Sequence, residues 1–435
     1  MEIISLPIWV IFFLIFGILA LVTALTALFF PIFSRPKKYT NSEVPAVDSE
    51  DFLQALAGVA NAPVQSGGQA KLLNNGEQFF PEILEAINKA EKTINFMTYI
   101  WTKGKMSDLV FEGLINALHR KVEVRIVLDG FGGTGVDDEK LKLLEKAGGK
   151  VCWFRPAHLG KLTRFYRRNH RRAIIMDGFV GFIGGAAIED KWLGNAENPE
   201  HWRDSMVKVT GSMAENLQSA FIQVWTDTYG EFLVGRKFYP HQGKHEGITD
   251  STTSKHVSII SSPSSEFHPI SNVFWLSIKA GREKIYLTYS YFVPDKTLRN
   301  ILKEKAKEGV DVRILLPNDY IDGNTIRWAS HRYFEELLQS GVKIYEYQPT
   351  MIHSKTIVVD GKFSIVGSAN FDIRSTELNK ENILCIVEKD FASDLENTFF
   401  QDLKHAKQMK LGAWKKRSIL RRLRERFASL FEEQY

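Results

Sequence analysis

A series of strand-like and helical segments occurs twice in this 435-residue chain, in the same order. Val122–Asp129 (VEVRIVLD) resembles Val310–Pro317 (VDVRILLP), and further along Ala147–Val151 (AGGKV) resembles Ser340–Ile344 (SGVKI). Such a match indicates a tandem duplication, and two copies of one unit must bury the same apolar faces. The alternation of strands with helices predicts an α/β fold for that unit.

The hydrophobic period places the elements of each copy. In the first half, strands are expected over 93–100, 122–129 and 150–155, and helices over 107–118 and 137–147. In the second half, strands are expected over 283–289, 310–317 and 342–347, and helices over 296–308 and 331–339. Because 44% of the residues are hydrophobic, both halves can bury a core, which excludes wholesale disorder.

Each copy ends in a segment with the spacing His-x-cation-x4-Asp-Gly. The positions are His170, Arg172, Asp177 and Gly178 in the first copy and His353, Lys355, Asp360 and Gly361 in the second. Asp-Gly between two β-branched or aromatic runs predicts a β-hairpin, here with a two-residue loop. A lone histidine or lysine on a strand is usually incidental, but the same spacing at matching places of a duplicated chain indicates function.

The hairpin register brings polar side chains onto one surface. With a two-residue loop, position 353 pairs with 368 and position 170 with 185. Directly paired residues, and residues two apart on a strand, share a face. An imidazole, a cation, a hydroxyl and an amide suit a phosphate, because they supply positive charge, donors and a nucleophile or proton carrier. The residues expected around the phosphate are Arg172, Lys355, Gly185, Ser368 and Asn370.

The twin motifs resemble those of the phospholipase D superfamily over nearly all of residues 70–410. Trp202-Arg-Asp204 after the first motif and Phe371-Asp-Ile-Arg-Ser375 after the second are similar to the cardiolipin synthase branch. The resemblance implies two tandem α/β/α sandwich units that form one shared active site. It also implies a two-step phosphodiester exchange through a phosphohistidine, without a metal or a cofactor.

The resemblance also assigns roles to residues. His170 is expected to attack phosphorus, while His353 protonates the departing alcohol and then deprotonates the acceptor. Downstream acids of the family hold the histidines, and here they correspond to Glu381 for His353 and Asp204 for His170. The residues counted as catalytic are His170, His353, Arg172, Lys355, Asp177, Asp360, Asp204 and Glu381.

The first motif departs from the family pattern at two positions. Arg172 stands where the family has Lys, and Ala187 where it commonly has Asn. Arginine keeps the positive charge, but its planar fork is not interchangeable with an ammonium group. Losing the amide removes one donor to the phosphate. These departures leave open a catalytically inactive lipid-binding scaffold.

The N-terminal segment predicts a membrane anchor. No charged residue occurs from Ile3 to Ser34, and a helix between Pro7 and Pro31 would be roughly 35 Å long, enough to cross a bilayer. The alternative is a cleaved signal peptide, but a basic n-region is missing and the apolar run is too long. Basic residues follow the segment, which predicts a single-pass protein of the cell membrane whose catalytic part faces the cytoplasm. These residues are Arg35, Lys37 and Lys38.

The C-terminal segment reads as a basic amphipathic helix. Its apolar positions fall at helical spacing, and they are Leu420, Leu423, Phe427, Leu430 and Phe431. A helix of this kind lies in the interface of an anionic membrane, or it packs its apolar stripe on the protein core, and both readings stay open. The predicted organisation is an anchor over 1–34, a linker over 35–70, units over 71–234 and 256–409, a connector over 235–255, and this helix within 410–435.

Charge alone does not define a partner. Lys and Arg outnumber Asp and Glu by only 56 to 51, so an obligate nucleic-acid partner is not expected. A cluster before the first motif favours attraction of anionic headgroups, with single-stranded nucleic acid as the competing ligand. This cluster comprises Arg164, Arg167, Arg168, Arg171 and Arg172.

The resemblance implies a membrane-anchored phosphatidyltransferase that acts at an anionic phospholipid membrane. The expected reaction moves a phosphatidyl group from one phosphatidylglycerol to the hydroxyl of another and releases glycerol. A hydrolytic phospholipase D or a membrane-tethered nuclease would use the same histidines, so both remain alternatives.

Overall fold

The computed structural model describes residues 7–29, 39, 43–156, 167–240, 254–262 and 267–434. At the N-terminus, helix α1 (Ile8–Phe29) has 22 residues, and its side chains from Phe12 to Val22 are exposed all round. Among residues whose side chains are described, no helix is long and apolar enough to cross a membrane.

The first half forms a seven-stranded sheet in the order β1-β7-β6-β5-β2-β3-β4. Its strands are β1 (Ala70–Asn74), β2 (Thr93–Thr98), β3 (Glu123–Asp129), β4 (Lys150–Phe154), β5 (Ala173–Met176), β6 (Val180–Gly184) and β7 (Ser205–Thr210). Its helices are α2 (Glu50–Ala60), α3 (Asn75–Lys89), α4 (Lys105–His119), α5 (Asp138–Lys146) and α6 (Ser212–Tyr229). Strands β2, β3 and β4 are parallel, and β5, β6, β7 and β1 continue the sheet antiparallel.

The second half forms an eight-stranded sheet in the order β17-β12-β11-β9-β13-β14-β16-β8. Its strands are β8 (Lys255–Ser261), β9 (Lys284–Tyr289), β11 (Asp311–Pro317), β12 (Lys343–Tyr347), β13 (Lys355–Val359), β14 (Phe363–Gly367), β16 (Glu381–Val387) and β17 (Ala406–Gln408), while β10 (Phe292–Val293) pairs with β15 (Phe371–Asp372). Its helices are α7 (Pro269–Ala280), α8 (Lys296–Lys307), α9 (Asn324–Gln339) and α10 (Lys389–Leu403), followed by α11 (Leu411–Lys415) and α12 (Ile419–Ala428).

The two sheets have one topology. Reading β8-β16-β14-β13-β9-β11-β12 beside β1-β7-β6-β5-β2-β3-β4 matches every strand, and β17 is an addition to the second sheet. This confirms the duplication and the two tandem α/β units. Apolar residues of α6 and α10 share one core cluster with residues of both sheets, so the halves bury their inner faces against each other.

Most predicted elements lie within two residues of the observed ones. The exception is α9, which begins at Asn324 and not at 331. Its first two turns contain Thr325, Trp328 and Ser330, which have low helix propensity. Packing of Ile326 and Ala329 in the core stabilises these turns despite that propensity.

The loops of both motif hairpins are one residue longer than predicted. Met176 pairs with Val180, and Val359 pairs with Phe363, so three residues separate the strands in each hairpin. The two-residue loop was therefore wrong, and the ladder is shifted by one position. A shift of one residue exchanges the faces to which side chains point.

The C-terminal segment is two helices and not one. Helix α11 ends at Lys415, and α12 begins after Ser418, whose hydroxyl accepts a hydrogen bond from the Arg421 amide. The predicted apolar stripe does not pack on the core. Its residues are exposed, whereas Glu425 and Ala428 on the other side of α12 are buried.

Candidate active site

Two short backbone bridges bring the motif histidines together at the junction of the halves. Asn169 pairs with Lys380, and Arg203 pairs with Ile352. The His170 amide donates to the Lys380 carbonyl at 2.9 Å, and the amide of the second motif histidine donates to the Arg203 carbonyl at 2.7 Å. Each motif is thus fixed beside the segment that follows the other motif.

This arrangement pairs each histidine with a carboxylate from the opposite half. Nδ1 of His170 lies 2.8 Å from Oε1 of Glu381, and Nδ1 of His353 lies 2.9 Å from Oδ2 of Asp204. The predicted pairing, Glu381 with His353 and Asp204 with His170, is wrong. The reason is the bridges, which place the residue before each acid on the backbone of the other half's histidine motif.

Burial and a nearby cation disfavour the charged form of both histidines. Burial and the charge of Arg172 lower the pKa of His170 to about 4. Burial and the charge of Lys355 lower the pKa of His353 to about 4. Both imidazoles are therefore neutral at pH 7 in the free protein.

The two acids fix the tautomers of these neutral rings. Burial raises the pKa of Glu381 and Asp204, but hydrogen bonds from the imidazoles and the positive charges of Arg172 and Lys355 outweigh it and keep both pKa values below the usual range. An ionised carboxylate only accepts, so the Nδ1 of each imidazole carries the proton. The Nε2 of each ring is then left with its lone pair, as a nucleophile or a base requires.

Two cations stand beside the imidazoles. Nζ of Lys355 lies 3.1 Å from Nε2 of His353 and donates to Ser290 Oγ at 2.8 Å. Burial lowers the pKa of Lys355 to about 7. Arg172 donates from Nη1 to the His170 carbonyl at 2.7 Å, and its buried Nε has no hydrogen-bond partner among the described residues. An oxyanion between the two cations would supply the missing acceptor.

One cavity of about 520 Å³ connects these groups, a volume typical of a small-molecule site. Both histidines line it. Its wall comprises Tyr99, Ile100, Phe131, Arg168, His170, Arg172, Trp202, Tyr291, Asp322, His353, Asn370, Asp372, Arg374, Ser375 and Asn379. Because His170 and His353 line the same cavity, the two motifs lie close together in space.

Two of the residues predicted to bind phosphate lie behind the histidines. Ser368 donates to Glu381 Oε2 at 2.5 Å and does not line the cavity, while the Gly185 backbone lies against Asp204. Extending the observed pairing of β13 with β14 places position 368 opposite 354, and not opposite 353 as predicted. The predicted face of Ser368 was therefore wrong. Asn370 lies beyond the end of the strand and does line the cavity.

The two motif aspartates lie at the far ends of the hairpins and not in the cavity. Asp177 accepts hydrogen bonds from the amides of Lys92 and Thr93 at 2.7 and 2.8 Å. Asp360 accepts equivalent bonds from Glu283 and Lys284. Their φ angles of 54° and 53° are left-handed, a conformation that aspartate tolerates. The prediction that they are catalytic is corrected: they pin the hairpin loops to β2 and β9.

The arginine cluster before the first motif is largely internal. Arg171 is fully buried and donates to the carbonyls of Glu381, Ala220 and Ser261, so it joins the halves and does not attract a ligand. Arg168 lines the cavity and pairs with Asp129 at 3.3 Å. Of the remaining members, Arg167 is exposed and Arg164 lies outside the described residues.

Several wall residues had no predicted role. The Tyr99 ring lies 4.9 Å from that of His170, and the Tyr291 hydroxyl donates to Asp322 at 2.6 Å. Burial raises the pKa of Asp372 to about 7. Tyr99 and Tyr291 follow β2 and β9, the neighbours of the motif strands. Ile94 and Ile285 occupy equivalent places in the two sheets, so Tyr99 and Tyr291 are offset by one position, and a comparison of the two copies does not single them out.

The glycine-rich turn after β3 shapes one side of the wall. A Cβ on Gly132 would lie 2.3 Å from the Tyr99 carbonyl oxygen, and one on Gly130 would lie 2.5 Å from Pro156 Cα. These glycines permit close backbone approach. Phe131 between them is 58% exposed and reaches the cavity.

Two histidines supported by carboxylates and cations, at the junction of duplicated α/β units, define the phospholipase D superfamily. Within it, residues 83–225 and 276–403 match the family model described as cardiolipin synthase, PLD-like domain, and the chain belongs to this family. It is 34% identical to cardiolipin synthase 1 of Bacillus anthracis over 88% of this chain and 75% of that protein. It is 32% identical to a cardiolipin synthase of Clostridium perfringens strain 13, over 82% of this chain and 75% of that protein.

Solved structures support the fold. The chain is similar to the crystal structure of phosphatidylserine synthase from Haemophilus influenzae Rd KW20, with a TM-score of 0.68 and 14% identity. The similarity covers 88% of this chain and 99% of that one. Polyphosphate kinase from Porphyromonas gingivalis is similar with a TM-score of 0.51 and 9% identity, over 93% and 58% of the two chains.

Proposed function

We propose that this protein is a phosphatidyltransferase that makes cardiolipin from two molecules of phosphatidylglycerol. The observation that carries the proposal is the pair of neutral, carboxylate-supported imidazoles on one cavity wall with Lys355 and Arg172 beside them. The relatives at 31 to 34% identity are named cardiolipin synthases, which supports the same reaction.

In the first step, His170 Nε2 attacks the phosphorus of one phosphatidylglycerol and the bond from phosphorus to the glycerol oxygen breaks. His353 gives the departing oxygen a proton, and glycerol leaves. The assignment of His170 as nucleophile follows the tandem members of the superfamily. Arg172 and Lys355 lie where negative charge increases on the nonbridging oxygens.

In the second step, His353 takes the proton from the hydroxyl of a second phosphatidylglycerol. That oxygen attacks phosphorus, the bond from phosphorus to His170 breaks, and cardiolipin is released. The substrate's anionic phosphate favours protonation of one imidazole in the complex, although both are neutral in the free protein. The two histidines therefore titrate as a pair during turnover.

We also propose that α1 anchors the protein in the cell membrane with the catalytic part in the cytoplasm. Its 22 residues would extend roughly 33 Å. The side chains from Phe12 to Val22 are apolar and exposed all round, which is typical of a membrane span. Basic residues at 35, 37 and 38 support the orientation. Resistance to carbonate extraction, with a C-terminal tag protected from external protease in intact cells, is the expected result; extraction or cleavage would contradict it.

The decisive assay uses purified protein in phosphatidylglycerol vesicles with a chelator present. Cardiolipin and glycerol should appear in equal amounts, and His353→Ala, the matched control, should give neither. Phosphatidic acid without cardiolipin would indicate a hydrolase, and nicked DNA a nuclease. The absence of all these products would favour the inactive scaffold.

A further inference from the structure

We propose that residues 419–431 form a membrane-docking surface that binds an anionic phospholipid bilayer and holds the mouth of the catalytic cavity against it. We call this segment the docking helix. It is separate from α1 and from the catalytic groups. The exposure and charge of the docking helix do not depend on which reaction the protein catalyses. Its proposed benefit to catalysis rests on the proposed function.

The docking helix exposes a continuous apolar stripe. At about 100° per residue the four exposed apolar side chains of α12 fall within an arc about 100° wide. Leu430 and Phe431 follow in a short 3-10 turn, and the Phe431 ring lies 5.4 Å from that of Phe427. The six apolar side chains are exposed to between 46% and 78%, and they are Ile419, Leu420, Leu423, Phe427, Leu430 and Phe431. Single exposed apolar residues are ordinary, but six within this segment form a patch that marks an interaction site.

The other face of the docking helix is fixed to the protein. Arg417, just before it, pairs with Glu335 of α9 at 2.8 Å and with Glu425 at 2.9 Å. Arg421 Nη2 lies 3.3 Å from Nδ1 of the buried His331, and the Arg424 guanidinium lies 4.8 Å from the Trp328 ring. The apolar stripe is therefore held outward by ordered contacts and is not a frayed end.

Charge selects the occupant of this surface. Between 415 and 426 the chain has seven basic residues and one acidic residue, Glu425. Since Glu425 is buried in ion pairs, the solvent side of the segment is basic. Exposed cations beside an exposed apolar stripe match an anionic lipid interface, where the stripe enters the acyl region and the cations meet headgroups.

The position of the docking helix links it to the cavity. Arg417, Arg421 and Arg424 contact Glu335, His331 and Trp328 in this order, so α12 runs antiparallel to α9, toward the N-terminal end of α9. The turn after α12 comes back along α9, where Ser429 contacts Arg332. Helix α9 begins at Asn324, two residues after Asp322 of the cavity wall. A bilayer bound to the stripe would therefore lie near the cavity. A lipid headgroup could then enter the cavity while its acyl chains stay in the membrane.

Site-directed fluorescence tests the proposal in the full chain. In Leu423→Cys, an environment-sensitive dye attaches to the new thiol, because Cys152 and Cys385 are buried. On phosphatidylglycerol vesicles that contain spin-labelled lipid, we expect a blue shift and strong quenching. Each basic side chain near an anionic surface favours docking about fivefold, so quenching should fall on phosphatidylcholine vesicles.

Leu143→Cys is the matched control, since Leu143 is 54% exposed and Leu423 is 53% exposed. A dye there should stay in water, because neighbouring positions of α5 are charged. Leu420→Gln with Phe427→Gln should abolish quenching at position 423 without lowering the melting temperature. A dye at 423 that is unquenched, or quenched no more than at 143, overturns the proposal. Quenching needs no turnover, so failure of cardiolipin synthesis is a separate result.

Discussion

Glu381→Gln should slow phosphorylation of His170, because it removes a negative charge from beside this histidine at nearly constant size. As phosphorus attaches, the imidazole gains positive charge. An imidazolium and a carboxylate whose charge centres are about 4 Å apart attract by about 4 kcal/mol at an effective dielectric constant of about 20. Since about 1.4 kcal/mol corresponds to a tenfold change in rate, we expect formation of phosphohistidine to slow by about 10³-fold.

A change of leaving group separates this effect from that of Asp204→Asn. The nitrophenolate of a phosphatidyl p-nitrophenyl ester departs without a proton, so the first step no longer needs His353 as an acid. In a single turnover, Asp204→Asn should release nitrophenolate at nearly the unsubstituted rate, while Glu381→Gln stays slow by about 10³-fold. With phosphatidylglycerol, both variants should be slow.

Mass spectrometry after an alkaline quench identifies the phosphorylated histidine independently. If His170 carries the phosphatidyl group and the ester rescues Glu381→Gln but not Asp204→Asn, the pairing across the halves is refuted. If His353 carries it, the roles are exchanged, and the carboxylate that resists rescue should then be Asp204.

Further outcomes follow from burial and charge. His353→Ala should still release nitrophenolate from the activated ester and accumulate phosphohistidine, and loss of this burst would contradict its role as acid and base. Lys355→Met should abolish transfer yet raise the melting temperature at pH 7. The pKa of Lys355 is about 7 in the folded protein, below the ordinary 10.5, so the unfolded chain binds the proton more readily. Native stability therefore rises as the pH increases from 7 to 10.5. A lower melting temperature would contradict this cost of burial. Because both histidine pKa values are about 4, kcat/KM should fall as the pH approaches 4 and not at the ordinary 6.5. Native stability should decline as the pH falls from 6.5 towards 4, because in this range the histidines are protonated in the unfolded chain and neutral in the folded one. A loss of kcat/KM centred at 6.5 would refute it. Arg171→Met should destabilise the fold by about 3 kcal/mol or more in urea, since three buried carbonyls lose their donor. An unchanged midpoint would show that Arg171 does not join the halves.

The sequence predicted the architecture well, because the same hydrophobic pattern occurs twice. It also identified His170, His353, Arg172 and Lys355, all of which lie at the cavity or beside a histidine that lines it. A spacing that repeats in a duplicated chain carries information that a single motif does not.

The errors concern contacts over long sequence separations. His170 and Glu381 are 211 positions apart, and no local pattern specifies which acid meets which imidazole. The face of Ser368 was predicted wrongly because the hairpin loop has one residue more than expected. A register shift of one residue moves a side chain to the opposite face of the sheet. Asp177 was predicted to be catalytic because it belongs to the motif. Its carboxylate instead accepts hydrogen bonds from the backbone amides of Lys92 and Thr93.

The exchange of carboxylates between the halves is the pattern of a twofold-symmetric dimer, in which residue i of one subunit meets residue j of the other and the reverse. Here both subunits are one polypeptide, with His170 meeting Glu381 and His353 meeting Asp204. Because both copies lie in one chain, their residues need not be identical. Arg172 and Lys355 differ at equivalent positions, so the two halves of the site can contact donor and acceptor lipids differently.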